Sequence, residues 1–309
     1  MWSLSIAGAA TMLMAGVLAL RQSDLKLALA YTSVMALGSL MMFLGAEATI
    51  AVAAAMTFLV VHALYKASLF LVVGSIDHGT GTRELSRLGG LWRTMPLTSA
   101  AAVLAAGSMA GFPPFLGFVG KELKYEGALA IAEEPWPLAT AAVVANALMV
   151  ALTLVIIFRV VLGRAPERAT PKTPHEVPVA MWLPPLVLAG LGLLCGLAPD
   201  LVGRTLVQPA VTAILGAPET VKLKLWHGVN VPLMMSIATV ALGALIFALH
   251  GRIFTALQRI PAVADRAWDG LMDGIATGFK AITARMQPGS LRVYVGVTVG
   301  SLAALPLVW

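Results

Sequence analysis

Apolar positions run together along most of this chain, and polar residues gather in the gaps. Apolar stretches occupy 3–20, 24–45, 50–74, 137–162, 180–200, 229–249 and 291–308. Each is long enough, as a helix, to cross a hydrocarbon core of about 30 Å. The segment 96–131 is also apolar but interrupted. A straight helix over it would be about 53 Å long, so it must tilt, break or protrude. Its stretch SMAGFPPFLGFVGKE supplies a break. Pro113 and Pro114 lack N–H groups, which deprives the carbonyls of Met109 and Ala110 of helical donors, and Gly111, Gly117 and Gly120 permit irregular backbone. Carbonyls freed within a membrane are tolerated only where protein or water satisfies them. Near the end, Trp268, Leu271, Met272, Ile275, Phe279 and Ile282 recur every three or four positions among Asp and Lys residues, which predicts an amphipathic interfacial helix over 263–287. The pattern therefore predicts an all-α integral membrane protein of about eight transmembrane helices, one of them broken, plus a cytoplasmic-side amphipathic helix.

Composition agrees with this reading and narrows the class. With 59% hydrophobic and 12% charged residues in 309, the chain lies far from soluble domains, where about 25% are charged. The net charge of +6 does not point to nucleic acid, because the basic residues alternate with the spans instead of forming one patch. Counted from the first span, fifteen Lys and Arg fall on one side, from Arg21 and Lys26 to Arg292, and only Arg204, Lys222 and Lys224 on the other. The positive-inside rule makes the first side cytoplasmic, with Met1 outside, the 75–95 loop inside and Glu133-Glu134 outside; it also requires 96–131 to cross once overall. The first run lacks a basic segment before it and carries Arg21 after it, so it reads as a span and not as a cleaved leader. The single Cys195 lies in an apolar run, where packing is its default role. No nucleotide loop, dinucleotide fingerprint or CxxC pair is present, so neither a cofactor nor a metal is expected.

Candidate chemistry sits where the apolar runs are violated. In VVHALYKASLF, His62 and Lys66 lie 12 and 16 residues past Ile50, near mid-membrane and on one helical face. An ionisable group there costs about 2.5–3.5 kcal/mol on insertion scales, so it faces a wet cavity or a partner. Proton transfer and a structural hydrogen bond between helices are both open readings. Lys121 and Glu122 directly follow the break. Lys121 could line an ion path or extend to the outer interface. Lys26 follows Asp24, a residue suited to capping a helix, so it could serve transport or simply sit in solvent. The Pro-rich tract 163–179, including His175, reads as a connector without chemistry.

Three stretches together, RQSDLKLALAYTSVMALG (21–38), HALYKASLFLVVGSIDHGTGTRELSRLGGL (62–91) and SMAGFPPFLGFVGKE (108–122), resemble the antiporter-like proton-translocating subunits shared by respiratory complex I, membrane-bound hydrogenases and Mrp-type Na+/H+ antiporters. The DHGTGTRELSRLGGL loop, LWHGVNVPL (225–233) and MQPGSLRVY (286–294) look most like the large A subunit of an Mrp antiporter. The resemblance implies that 1–163 is the second of two inverted five-helix repeats, with 164–250 adding membrane helices and loops, 251–290 the amphipathic region and 291–309 a last span. It implies a proton or cation pathway through Lys26, His62, Lys66, Lys121 and Glu122, past a helix break at Gly111, Pro113, Pro114 and Gly117. It also implies a plasma-membrane location, Na+ and H+ as transported ions, and other membrane subunits as partners. Two departures are visible: Phe58 stands where some relatives carry a second histidine, and the first repeat with its glutamate and lysine is absent. The alternatives are a proton-pumping arm of a quinone or ferredoxin oxidoreductase, and a non-translocating scaffold.

Overall fold

A computed structural model describes residues 2–46, 48–131, 135–164, 168–218, 220–226, 228–259, 263–286 and 291–304. The helices are α1 (Trp2–Arg21), α2 (Leu25–Leu44), α3 (Thr49–Thr80), α4 (Pro96–Ala110), α5 (Leu116–Leu129), α6 (Trp136–Val155, prolonged by a π-helical turn to Val161), α7 (Val179–Leu197), α8 (Pro199–Val202), α9 (Gln208–Leu215), α10 (Val231–Ala248), α11 (His250–Gln258), α12 (Val263–Met286) and α13 (Leu291–Ala304). They form two compact units, Met1–Leu257 and Gln258–Trp309.

Among the described residues, six helices are long and apolar enough to cross a membrane: α1, α2, α3, α6 with its extension, α7 and α10. This is an integral membrane protein. The broken pair α4–α5 makes a further crossing. Gly79, near the end of α3, packs against Met95 at the start of α4, while Gly127, near the end of α5, packs against Ala51 and Ala54 at the start of α3. The pair therefore runs antiparallel to α3 from one end of the bundle to the other. The eighth span expected over 291–308 is described only as the 14-residue α13, and the remainder of that run lies outside the described residues.

Helix boundaries follow from local chemistry. Asp24 caps α2, its carboxylate accepting from the N–H groups of Lys26 at 2.7 Å and Leu27 at 3.2 Å. Helix α3 outlasts the apolar run that predicted it: its 32 residues span about 48 Å, well beyond the core. It stops at Gly81, whose φ of 74° glycine tolerates and other residues resist. The N-terminus of α4 is held by Glu176 of the connector before α7, which accepts from Leu97 N at 2.7 Å and from the Thr98 hydroxyl at 2.6 Å. A connector that carries no chemistry in its sequence pattern thus anchors a helix.

Helix α3 is the hub of the first unit, packed against α2, α4, α5 and α7, and α10 packs on α6. The break between α4 and α5 packs against α7 on one side and leaves Pro113 and Pro114 exposed on the other. Gly111 closes α4 with a φ of 68°, and the backbone around Pro114 and Phe115 lies so close to α7 that a Cβ on Gly196 would collide with the Pro114 carbonyl oxygen. In the second unit, α12 carries Met272, Ile275 and Phe279 exposed along one face.

Candidate functional site

The site begins on α3. Lys66 is buried, 5% exposed, and its ammonium donates across to α2, to the Leu29 carbonyl and the Thr32 hydroxyl. Its neighbour one turn earlier behaves differently. His62 is half-buried and its Nδ1 pairs with the Tyr65 hydroxyl at 3.0 Å on the same helix. The two residues share a face of α3, but Lys66 turns to α2, whereas the partner of His62 lines the interior beside the helix break.

That interior is a cavity of about 10 Å³ at the meeting of four helices, at the lower limit for one water. Tyr65 lines it from α3, Ser108 and Ala110 from α4, Lys121 and Lys124 from α5, and Asn146 from α6. Lys121 is 5% exposed and its side chain packs directly on the break, its Cδ 3.0 Å from where a Cβ on Gly111 would lie. Gly117 stands in the first turn of α5 against the Ser108 carbonyl, and Pro113 and Pro114 form the bend.

From Lys124 a chain of polar groups leads onward. Its ammonium donates to Asn146 Oδ1 at 2.7 Å and lies 4.1 Å from the centre of the Phe58 ring. The Asn146 amide donates to the Tyr125 hydroxyl at 3.1 Å, and that hydroxyl bonds Thr239 of α10. Lys124, Asn146, Tyr125 and Thr239 are all buried. Glu122, next to Lys121 in sequence, is turned about 100° away by the helix. It accepts from Ser236 of α10 and lines a separate cavity of about 430 Å³ with Glu126, Lys222 and Lys224. Lys26 is exposed in the first turn of α2, one turn before Leu29. The structure thus gathers Lys121 with His62 through Tyr65, sends Lys66 to α2 and Glu122 to α10, and leaves Lys26 at the rim.

The sequence reading missed Lys124, Asn146, Tyr125, Ser236 and Thr239. Spacing held a signal for some of them. Lys124 is one turn past Lys121, and Asn146 is the lone amide in a long apolar run, where polar groups are costly. Ser236 and Thr239 gave no signal, because isolated hydroxyls in a span commonly bond their own helix. Among the described residues, no cluster of His, Cys, Asp or Glu could hold a metal ion.

The fold and the site define a class of polytopic helical membrane proteins with buried lysines beside a broken helix. Comparison with known proteins places the chain within that class. Residues 1–158 match the family described as "NADH:quinone oxidoreductase/Mrp antiporter, TM", and the chain belongs to this family. It is 32% identical to the A subunit of the Na(+)/H(+) antiporter of Alkalihalophilus pseudofirmus, over 95% of this chain and 40% of that protein. It is 36% identical to the A/B subunit of a probable K(+)/H(+) antiporter of Rhizobium meliloti, over 84% of this chain and 26% of that protein. In three dimensions it is similar to a chain of the Mrp complex of Dietzia sp. DQ12-45-1b, with a TM-score of 0.75 and 32% identity, over 99% of this chain and 33% of that one. The chain therefore spans about 40% of the length of the first of these relatives.

Proposed function

We propose that this chain is a membrane subunit, or the C-terminal part of one, in a multisubunit Na+/H+ antiporter of the plasma membrane, a transporter and not an enzyme. Its role is to carry protons between the His62–Lys66 pair of α3 and the outer face. The observation that carries the reading is the cavity at the α4–α5 break. Lys121 and Lys124 line it together, the Tyr65–His62 pair reaches it from one side, and the Asn146–Tyr125–Thr239 chain leaves from the other. Imidazole, phenol and amine groups can pass a proton directly or through a water held between them, while the Asn146 amide orients the groups on either side of it. Glu122 and the larger cavity beside it supply an aqueous approach from the side that the charge distribution assigns to the exterior. The name of the Alkalihalophilus pseudofirmus relative supports Na+ and H+ as the exchanged ions, that of the Rhizobium meliloti relative K+ and H+, and the Mrp complex supports other subunits as partners. The division into a five-helix repeat over 1–163 followed by accessory helices belongs to the same reading.

The test is Na+-driven proton movement in vesicles containing the whole complex. Lys121→Ala is expected to abolish exchange with the complex still assembled, and Lys121→Arg, which holds its proton permanently, is expected to fail as well. Normal exchange by the Arg variant would overturn proton transfer at Lys121.

A further inference from the structure

A second large cavity, of about 720 Å³, lies away from the polar chain, between the 87–94 loop and the 162–174 connector. Its lining carries four cations, Arg87, Arg93, Arg164 and Lys172, and no aspartate or glutamate among the described residues. Arg87 is paired with Glu84 at 3.0 Å, and Lys172 donates from Nζ to the His78 carbonyl at 3.2 Å, which leaves it two further donors. Arg93 lies over the Trp92 ring, 5.3 Å from its centre, and neither Arg93 nor Arg164 forms an ion pair among the described residues.

The described parts of the walls are tied to the bundle and to each other. Lys172 N donates to the Thr80 carbonyl at 3.0 Å, the Thr170 hydroxyl to the Lys172 carbonyl at 2.7 Å, and Gly89 is so close to the connector that a Cβ there would collide with the Arg164 carbonyl oxygen. The depth of the cavity is also fixed by its neighbours. It opens where α6 ends at Val161 and α4 begins at Pro96, and Trp92 and Leu162 on its lining are 47% and 49% exposed. An exposed tryptophan beside arginines at the end of a span marks the headgroup level of a bilayer. The charge distribution assigns this end to the cytoplasm, where anionic lipids concentrate.

We propose that this cavity binds the phosphate of an anionic phospholipid from the cytoplasmic leaflet. Arg93, Arg164 and Lys172 receive the phosphate, and Trp92 and Leu162 lie along the glycerol and upper acyl region. A guanidinium offers paired donors that match a phosphate's oxygens, and a basic pocket between helix ends on this side is the chemistry that retains a lipid headgroup. The inference stands on this cavity alone and does not depend on the path of the proton.

The experiment uses the full chain in its membrane complex, purified in mild neutral detergent, delipidated and titrated with fluorescent phosphatidylglycerol in mixed micelles of that detergent and phosphatidylcholine. Arg93→Gln combined with Arg164→Gln is expected to weaken phosphatidylglycerol binding roughly thirtyfold. Arg252→Gln with Arg259→Gln removes the same charge from residues that do not line the cavity, and this variant is expected to bind as the parent does. If the first double variant does not assemble, Arg164→Gln alone is expected to weaken binding roughly fivefold. Inorganic phosphate is expected not to displace the lipid. Equal weakening by both double variants, or an unchanged affinity in Arg164→Gln, would show diffuse surface attraction and overturn the site. Displacement of the lipid by phosphate alone would assign the cavity to a free anion and overturn the lipid.

Discussion

Lys66 illustrates how much a single side chain's direction decides. Its ammonium is buried and held by a carbonyl and a hydroxyl of α2, both dipoles and neither an anion. Under the proposed function a lysine in that position does more than tie helices together, since a serine would do so without the cost of bringing a charge into the membrane. Lys66→Ala is expected to abolish Na+/H+ exchange in vesicles carrying the complex while assembly persists. Lys66→Arg, a wider and permanently charged group, should abolish it too. Full exchange by the Arg variant would assign Lys66 a fixed structural charge. Lys124 and Asn146 make a second case. Their bond at 2.7 Å is the first step from the cavity towards α10, so Asn146→Leu should slow exchange about tenfold or more, measured against an unchanged amount of assembled complex. The positions of His62, Lys66, Lys121 and Glu122 within the bundle were legible because ionisable groups in apolar runs are expensive and therefore conspicuous. The partners were not, because a hydroxyl or an amide in a span becomes informative only when another helix places something against it.

The helix break operates at the next scale. Two prolines and three glycines announce an interruption in 96–131, but nothing in that stretch says what covers it. The cover is α7, and its closest approach is at Gly196, where a Cβ would collide with both the Pro114 carbonyl oxygen and Leu116 N. Backbone atoms on both sides leave little room to yield. Gly196→Ala should therefore destabilise the bundle by about 1–3 kcal/mol and displace the bend that carries Lys121. Gly190→Ala, at a position of α7 with nothing within 4 Å, is the control. Thermal denaturation of the purified protein in detergent compares them, and equal stability would show that α7 does not press on the break.

At the scale of the first compact unit, a lattice of contacts draws several connecting segments to one end of the bundle. Arg83 bridges Asp24 at 3.2 Å and Asp77 at 3.8 Å, and Glu176 holds the start of α4, so the ends of α1, α3 and α6 and the starts of α2, α4 and α7 gather at one surface. Surface ion pairs of this kind add little stability singly, but here Arg83 joins the α1–α2 and α3–α4 connections, and the hydrogen bonds of Glu176 tie in the connector before α7. A cysteine at exposed Ser86 should react with a membrane-impermeant reagent in inverted vesicles and not in intact cells. Labelling from outside would reverse the topology and, with it, the direction assigned to the proton path.

Hydrophobic periodicity alone was sufficient for the membrane, the helices and the existence of a break, because each depends on local properties of the chain: apolar length, missing N–H groups, glycine's tolerance of positive φ. The sidedness is an expectation from the count of Lys and Arg in the loops, which the labelling of Ser86 tests. Which polar groups meet depends instead on residues far apart in sequence. The bond from Lys66 to Leu29 joins positions 37 residues apart, that from Tyr125 to Thr239 joins positions 114 apart, and the Glu122–Ser236 pair is separated by as many. No window on the chain contains both partners of such a pair. Their meeting is set by how helices pack, and helix packing in a bundle answers to all the faces at once.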